Sequence, residues 1–143
     1  MSDKIAMWQM YMRWAHDIAE FSSCRRLKVG AIVTSPDLIE VYANGYNGGP
    51  MGQYNDCLSD EPGRCGHIHA EDNACNKSPV RIPKLMFVTH FPCRMCCIRM
   101  VNKMGFEMVF YSKIYRDMDG LEILQKAGIN VIMIDPLGRK DAP

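Results

Sequence analysis

The run "HIHAEDNACN", His67 to Asn76, brings two histidines, a glutamate, an aspartate and a cysteine together, and "THFPCRMCC" follows at Thr89 to Cys97. Imidazole nitrogens and thiolates are the donors that hold zinc. Cys93 and Cys96 form a Cys-x-x-Cys pair that sets two sulfurs on one side of a turn, and His69 supplies a third donor. A structural zinc is normally closed by four protein ligands, whereas a catalytic zinc has three and keeps a position for water. Glu71, two residues after His69, can reach a water held there without being a ligand, and so can serve as general acid and base. The simpler alternative leaves Cys93 and Cys96 as core thiols or a redox pair and His69 as a helix N-terminal histidine.

Convergence of these side chains requires both motifs to open helices. Ile5, Trp8, Met12, Ala15 and Ala19 recur with a period near 3.6, which predicts one amphipathic helix over the first twenty residues with Ser2 as N-cap. "KVGAIVTS" and "LIEVYAN" read as two strands of an antiparallel hairpin, joined by the turn residues Ser35-Pro36-Asp37. Gly45 to Gly66 is rich in Gly, Pro, Asn and Asp without periodicity, the composition of a long functional or metal-tied loop. Beyond it the elements alternate: a helix from about His69, a strand "KLMFVTH", a helix from about Cys93 to Met104, a strand "EMVFYS", a helix "GLEILQKAG" and a strand "INVIMI". That order predicts an α/β fold whose later strands are mainly parallel, with helices on both faces. His69 then falls in the first turn of one helix and Cys93 and Cys96 in the first turn of another, where the positive helix end favours thiolate. The tail "PLGRKDAP" is expected to fray.

A chain of 143 residues, 48% hydrophobic and 23% charged, is expected to form a single globular domain over residues 1–143. A formal charge of +1 with interspersed signs offers no basic footprint for a nucleic-acid backbone. No signal peptide and no apolar run of about 18 residues is visible, so a cytoplasmic protein without membrane contact is expected. In a reducing compartment, seven cysteines suit metal binding better than disulfides. Cys24, Cys57, Cys65 and His67 make a closed Cys₃His set that would hold a second, structural zinc and tie down the long loop; the alternative is small buried thiols and an exposed histidine. Cys75 and Cys97 are left as core residues, and His16 and His90 have no assigned role. The twelve methionines read as adaptable core filler rather than ligands.

The signature H-x-E followed by P-C-x-x-C marks zinc-dependent nucleobase deaminases. Together "HAEDNA", "THFPCRMC", "GYNGGP" and "SSCRRLKVGA" resemble deoxycytidylate deaminases, especially the phage and bacterial type, from Ser22 to about Ile134. The resemblance implies a cytidine-deaminase-like α/β/α sandwich around a five-stranded mixed sheet. It implies zinc-dependent conversion of dCMP to dUMP and ammonia, supplying dUMP for thymidylate synthesis, with Glu71 moving protons to N3 and the leaving amine. It also implies an extra zinc near the start of the first strand, and substrate contacts at Ala70, Asn47 and Tyr115. Arg26, in the basic "CRRLK" run, is the candidate for the 5′-phosphate because a guanidinium binds phosphate bidentately; a solvated charged face is the alternative. The same resemblance implies a homohexamer activated by dCTP and inhibited by dTTP with Mg²⁺, with Gly45, Tyr46, Asn47 and Gly48 in the effector site. Rival readings are a tRNA adenosine deaminase, disfavoured by the near-neutral charge, a noncatalytic zinc-binding module, and a free-base or nucleoside deaminase.

Overall fold

Successive side chains of the central strands enter two separate apolar clusters, one on each face of the sheet, and helices cover both. The computed structural model describes residues 2–61, 64–115 and 117–138. Its elements are α1 (Ser2–Ala19), β1 (Gly30–Thr34), β2 (Val41–Tyr46), α2 (Ala70–Lys77), β3 (Lys84–His90), α3 (Arg94–Lys103), β4 (Phe106–Lys113), α4 (Leu121–Lys126) and β5 (Asn130–Met133). The five strands form one mixed sheet in the order β2-β1-β3-β4-β5. β1 is antiparallel to β2 and β3, whereas β3, β4 and β5 run parallel.

Successive strand residues face opposite sides, so one strand feeds two cores. Ile32, Leu85, Phe87 and Phe110 pack with Tyr11, Met12, Ala15 and Ile18 of α1. Ala31, Val33, Met86, Val88 and Val109 face the other way, against Ala70 and Ala74 of α2, Cys97 and Met100 of α3, and Leu124 of α4. The result is a three-layer sandwich, as expected from the order of elements. Lys84, fully buried at the start of β3, keeps its ammonium satisfied by the carbonyls of Ile82 and Met104 and above the Phe106 ring.

Several expectations change. Ile5 is 46% exposed, and the buried stripe of α1 runs instead through Tyr11, Met12, Ala15, Ile18 and Ala19. Helical spacing alone cannot say where along a stripe the sheet beneath it ends. The N-cap expected at Ser2 falls on a side chain outside the described residues, and α1 itself includes Ser2. Leu38 to Glu40, expected in a strand, belongs to the hairpin turn. Leu38 has φ +68°, Ser35 N–H donates to the Glu40 carbonyl at 2.9 Å, and the Ser35 hydroxyl bonds the Asp37 carboxylate. Met12, Met86 and Met100 fill the core, but Met7, Met10, Met51, Met95 and Met104 are exposed, so core filling accounts for only some of the methionines. Residues 139–143 of the tail expected to fray lie outside the described residues.

Candidate active site

His69 and Cys93 are the N-cap residues of α2 and α3, one position earlier than the expected first turns. Both are extended, with ψ of 153° and 164°, and a cap side chain can fold back over its helix end. Cys93 Sγ accepts the Cys96 N–H at 3.4 Å. β3 ends at His90 and feeds Phe91-Pro92-Cys93 into this position, while α2 is seated closely on β2: a Cβ at Gly45 would lie 2.7 Å from both Ala70 O and Ala74 N.

Two helix starts thereby bring three donors together. His69 Nδ1 stands 3.2 Å from Cys96 Sγ and 3.5 Å from Cys93 Sγ, and all three donor atoms lie within 4.8 Å of one another. Zinc bond lengths place tetrahedral N/S neighbours roughly 3.5–3.8 Å apart, so the set fits zinc. The neighbouring Cys96 thiol, opposed by burial and aided by His69, holds the Cys93 thiol down to about 4. Cys96 is pushed upward by Cys93 and by burial, so the two thiols divide one proton unequally until a cation takes both as thiolates. The bond to Cys93 raises the pKa of His69.

Glu71 is buried in the first turn of α2, with Cys96 Sγ donating toward its Oε2 at 3.7 Å. Desolvation lifts its carboxyl to about 7, the range in which a carboxyl group can both take and give a proton near neutrality.

The second set also comes together. Donor atoms of Cys24, Cys57, Cys65 and His67 all lie within 4.8 Å of one another, and the Cys24 and Cys57 sulfurs are 3.6 Å apart. His67 Nε2 lies 2.9 Å from the Asn55 carbonyl and 3.2 Å from that of Asp56, while its buried Nδ1 finds no hydrogen-bond partner among the described residues. A ring whose Nε2–H is held by carbonyls and whose Nδ1 lone pair is unspent is set up as a metal ligand. His67 is therefore buried, contrary to the exposed alternative. Burial opposes ionisation of Cys24, but the Leu27 and Arg26 backbone N–H groups, together with Cys57 and His67, bring the thiol down to about 7.

One cavity is bordered by both clusters and by the expected substrate residues Arg26, Asn47, Ala70 and Tyr115. Arg26 donates to Tyr115 Oη at 3.0 Å and to the Glu61 carbonyl at 2.8 Å. Asn47 Oδ1 accepts from Val29 N–H, and its Nδ2 donates to the Leu27 carbonyl, both at 2.8 Å. Of the four residues expected to bind an effector, Asn47 lines this cavity, whereas Gly45 packs on α2, Tyr46 is exposed, and Gly48 bridges to Ile68.

Residues 6–113 match the cytidine and deoxycytidylate deaminase zinc-binding region. The chain belongs to this family. ComE operon protein 2 of Bacillus subtilis is 31% identical over 93% of this chain and 74% of its own length. Deoxycytidylate deaminase of Mycobacterium phage D29 is 33% identical over 66% of this chain and 85% of its own. The crystal structure of the dCMP deaminase from cyanophage S-TIM5, in complex with dCMP and dUMP, superposes with a TM-score of 0.77. It is 34% identical and covers 87% of this chain and 94% of its own. The fold is thus the cytidine-deaminase-like sandwich.

Within this family architecture, the cavity also draws on His90, Arg94, Asp117 and Asp119, to which sequence reasoning assigned no role. A signal for some of them was present. His90 ends β3, and Asp117 and Asp119 follow β4, so all three lie at or beyond the carboxyl ends of parallel strands, where open α/β sheets bind ligands. Cys75 and Cys97 are core residues as expected, each pushed up to about 12 chiefly by burial.

Proposed function

We propose that this chain is a zinc-dependent dCMP deaminase, converting dCMP and water to dUMP and ammonia. The observation that carries the reading is buried Glu71 beside the three-donor set of His69, Cys93 and Cys96, in a cavity that Arg26 and Tyr115 also line. The cyanophage relative, crystallised with dCMP and dUMP, supports the choice of nucleotide.

Zinc held by His69, Cys93 and Cys96 would supply Lewis-acid activation of water. Glu71 accepts the proton released as water adds to C4 of cytosine and delivers it to N3. It then carries the proton of the new C4 hydroxyl to the 4-amino group, the C4–N bond breaks, and ammonia departs to leave the 4-keto product. Burial raises the Glu71 carboxyl toward neutrality, which favours a group that must both take and give a proton. Ala70 presents its backbone to the pyrimidine edge and Asn47 its amide to the nucleoside. Arg26 spends donors on Glu61 and Tyr115, but a guanidinium has five N–H groups, so others remain for the 5′-phosphate.

Cys24, Cys57, Cys65 and His67 hold a second, structural zinc in this reading. Product dUMP would feed thymidylate synthesis. Regulation by dCTP and by dTTP with Mg²⁺ through Gly45, Tyr46, Asn47 and Gly48, and assembly as a homohexamer, rest on the likeness of "GYNGGP" to the phage and bacterial enzymes. Free thiols throughout suit a reducing cytoplasm. Ammonia release by zinc-loaded protein, measured on cytidine, deoxycytidine and their mono- and triphosphates with and without dCTP and dTTP, tests the whole reading. Preference for dCMP is expected. Turnover of a tRNA adenosine, or of none of these compounds, would sink it.

A further inference from the structure

His90 lines the same cavity as Glu71 and His69 but belongs to neither donor cluster. Hydrogen-bond accounting sets its tautomer. Thr89 is fully buried, and its hydroxyl oxygen accepts the Gly30 N–H at 3.2 Å. A buried hydroxyl proton needs an acceptor of its own. His90 Nδ1, at 2.9 Å, provides one. Nδ1 therefore accepts, and the proton of the neutral ring sits on Nε2. Burial, with smaller contributions from His16 and Lys113, holds the ring down to about 4, so it stays uncharged at neutral pH. Among the described residues, no hydrogen bond engages Nε2.

Position narrows what this donor can meet. The β1–β3 register pairs Ala31 with Val88, and its continuation sets Gly30 beside Thr89 and Val29 beside His90. Val29 N–H is held by Asn47 Oδ1, so His90 stands next to the strand segment that carries the Asn47 amide. For a phosphate dianion the Arg26 guanidinium in the same cavity is the stronger partner, which leaves the uncharged His90 N–H for a neutral oxygen.

Resting on the dCMP reading above, we infer that His90 positions the substrate by donating its Nε2–H to an uncharged nucleoside oxygen, either the pyrimidine 2-keto oxygen or the sugar 3′-oxygen. Thr89 and Gly30 hold the ring so that this donor needs no reorganisation when substrate enters.

His90→Gln and His90→Asn, compared in the zinc-loaded full chain, test the inference. Gln extends an N–H donor to about the reach of Nε2. Asn instead places its polar atoms near Nδ1, where they can keep the Thr89 bond. A substrate role predicts near-wild-type kcat/KM for Gln and about a tenfold loss for Asn, with zinc content and Tm unchanged. A purely structural role predicts the reverse order and would overturn the inference, as would both variants lying within twofold of wild type. Two analogues identify the acceptor: the Asn penalty should vanish on 2′,3′-dideoxy-CMP if the 3′-oxygen is the partner, or on 2-thio-dCMP if the 2-keto oxygen is. An undiminished penalty on both would also overturn it. Wild-type protein inactive on dCMP would sink this inference together with the proposed function, whereas active wild type with silent variants would sink this inference alone.

Discussion

Glu71 is useful because its surroundings are costly for a charge. Desolvation is the main cause that raises its carboxyl, outweighing the opposing pulls of its own backbone N–H and of His69. Glu71→Gln preserves shape but cannot carry protons, so turnover should fall by about 10²–10⁴-fold while zinc content, read by elemental analysis, stays at the wild-type level. His69→Ala should instead lose the catalytic metal, since two thiolates alone make a poor site. Arg26 is proposed to act through its charge. Arg26→Ala should raise KM for dCMP by about 10–100-fold and leave residual action on deoxycytidine nearly unchanged, measured by steady-state kinetics on both. Equal effects on the two substrates would reduce Arg26 to its bonds with Glu61 and Tyr115.

The elements matter because their ends aim the ligands. α2 can present His69 and Glu71 only by lying close to β2, and Gly45 is the contact that allows it. Gly45→Ala should cost about 1–3 kcal/mol by overpacking, seen as a lower denaturation midpoint, and should lower activity by shifting α2. Loss of dCTP response with unchanged stability would instead favour the effector reading of Gly45. Among its described residues, the long loop between β2 and α2 holds only scattered backbone hydrogen bonds, such as Gly48 N–H to Ile68 O and Leu58 N–H to Cys65 O. Cys57, Cys65 and His67 of this loop converge on Cys24, Ser23 donates to Asn55 O, and Arg25 pairs with Asp60. The exposed Arg25–Asp60 pair adds little to stability. Cys57→Ser should therefore remove one metal per chain and speed proteolysis between residues 47 and 69, read by mass spectrometry of the fragments.

Two donor clusters predict about two zinc ions per chain in purified protein, and elemental analysis giving one would refute the second site. Light scattering checks the hexamer, and exposed Met10, Trp14 and Phe21 mark an apolar surface available to such contacts. Much of this was legible in order along the chain. The H-x-E and P-C-x-x-C spacings announced the cluster of His69, Cys93 and Cys96 because ligand types and helix starts are local features. The strand–helix alternation announced the parallel half of the sheet for the same reason. Tertiary structure alone decided the rest. Cys24 meets Cys57, and Arg26 meets Tyr115, only because the sheet and long loop bring distant segments together. His90 shows the limit most plainly. Its tautomer depends on a hydroxyl in its own strand and an amide from the neighbouring strand, and its place in the cavity on where β3 ends relative to α2 and α3. Local pattern names which groups can do chemistry, but the close approach of separate elements sets their protonation and their partners.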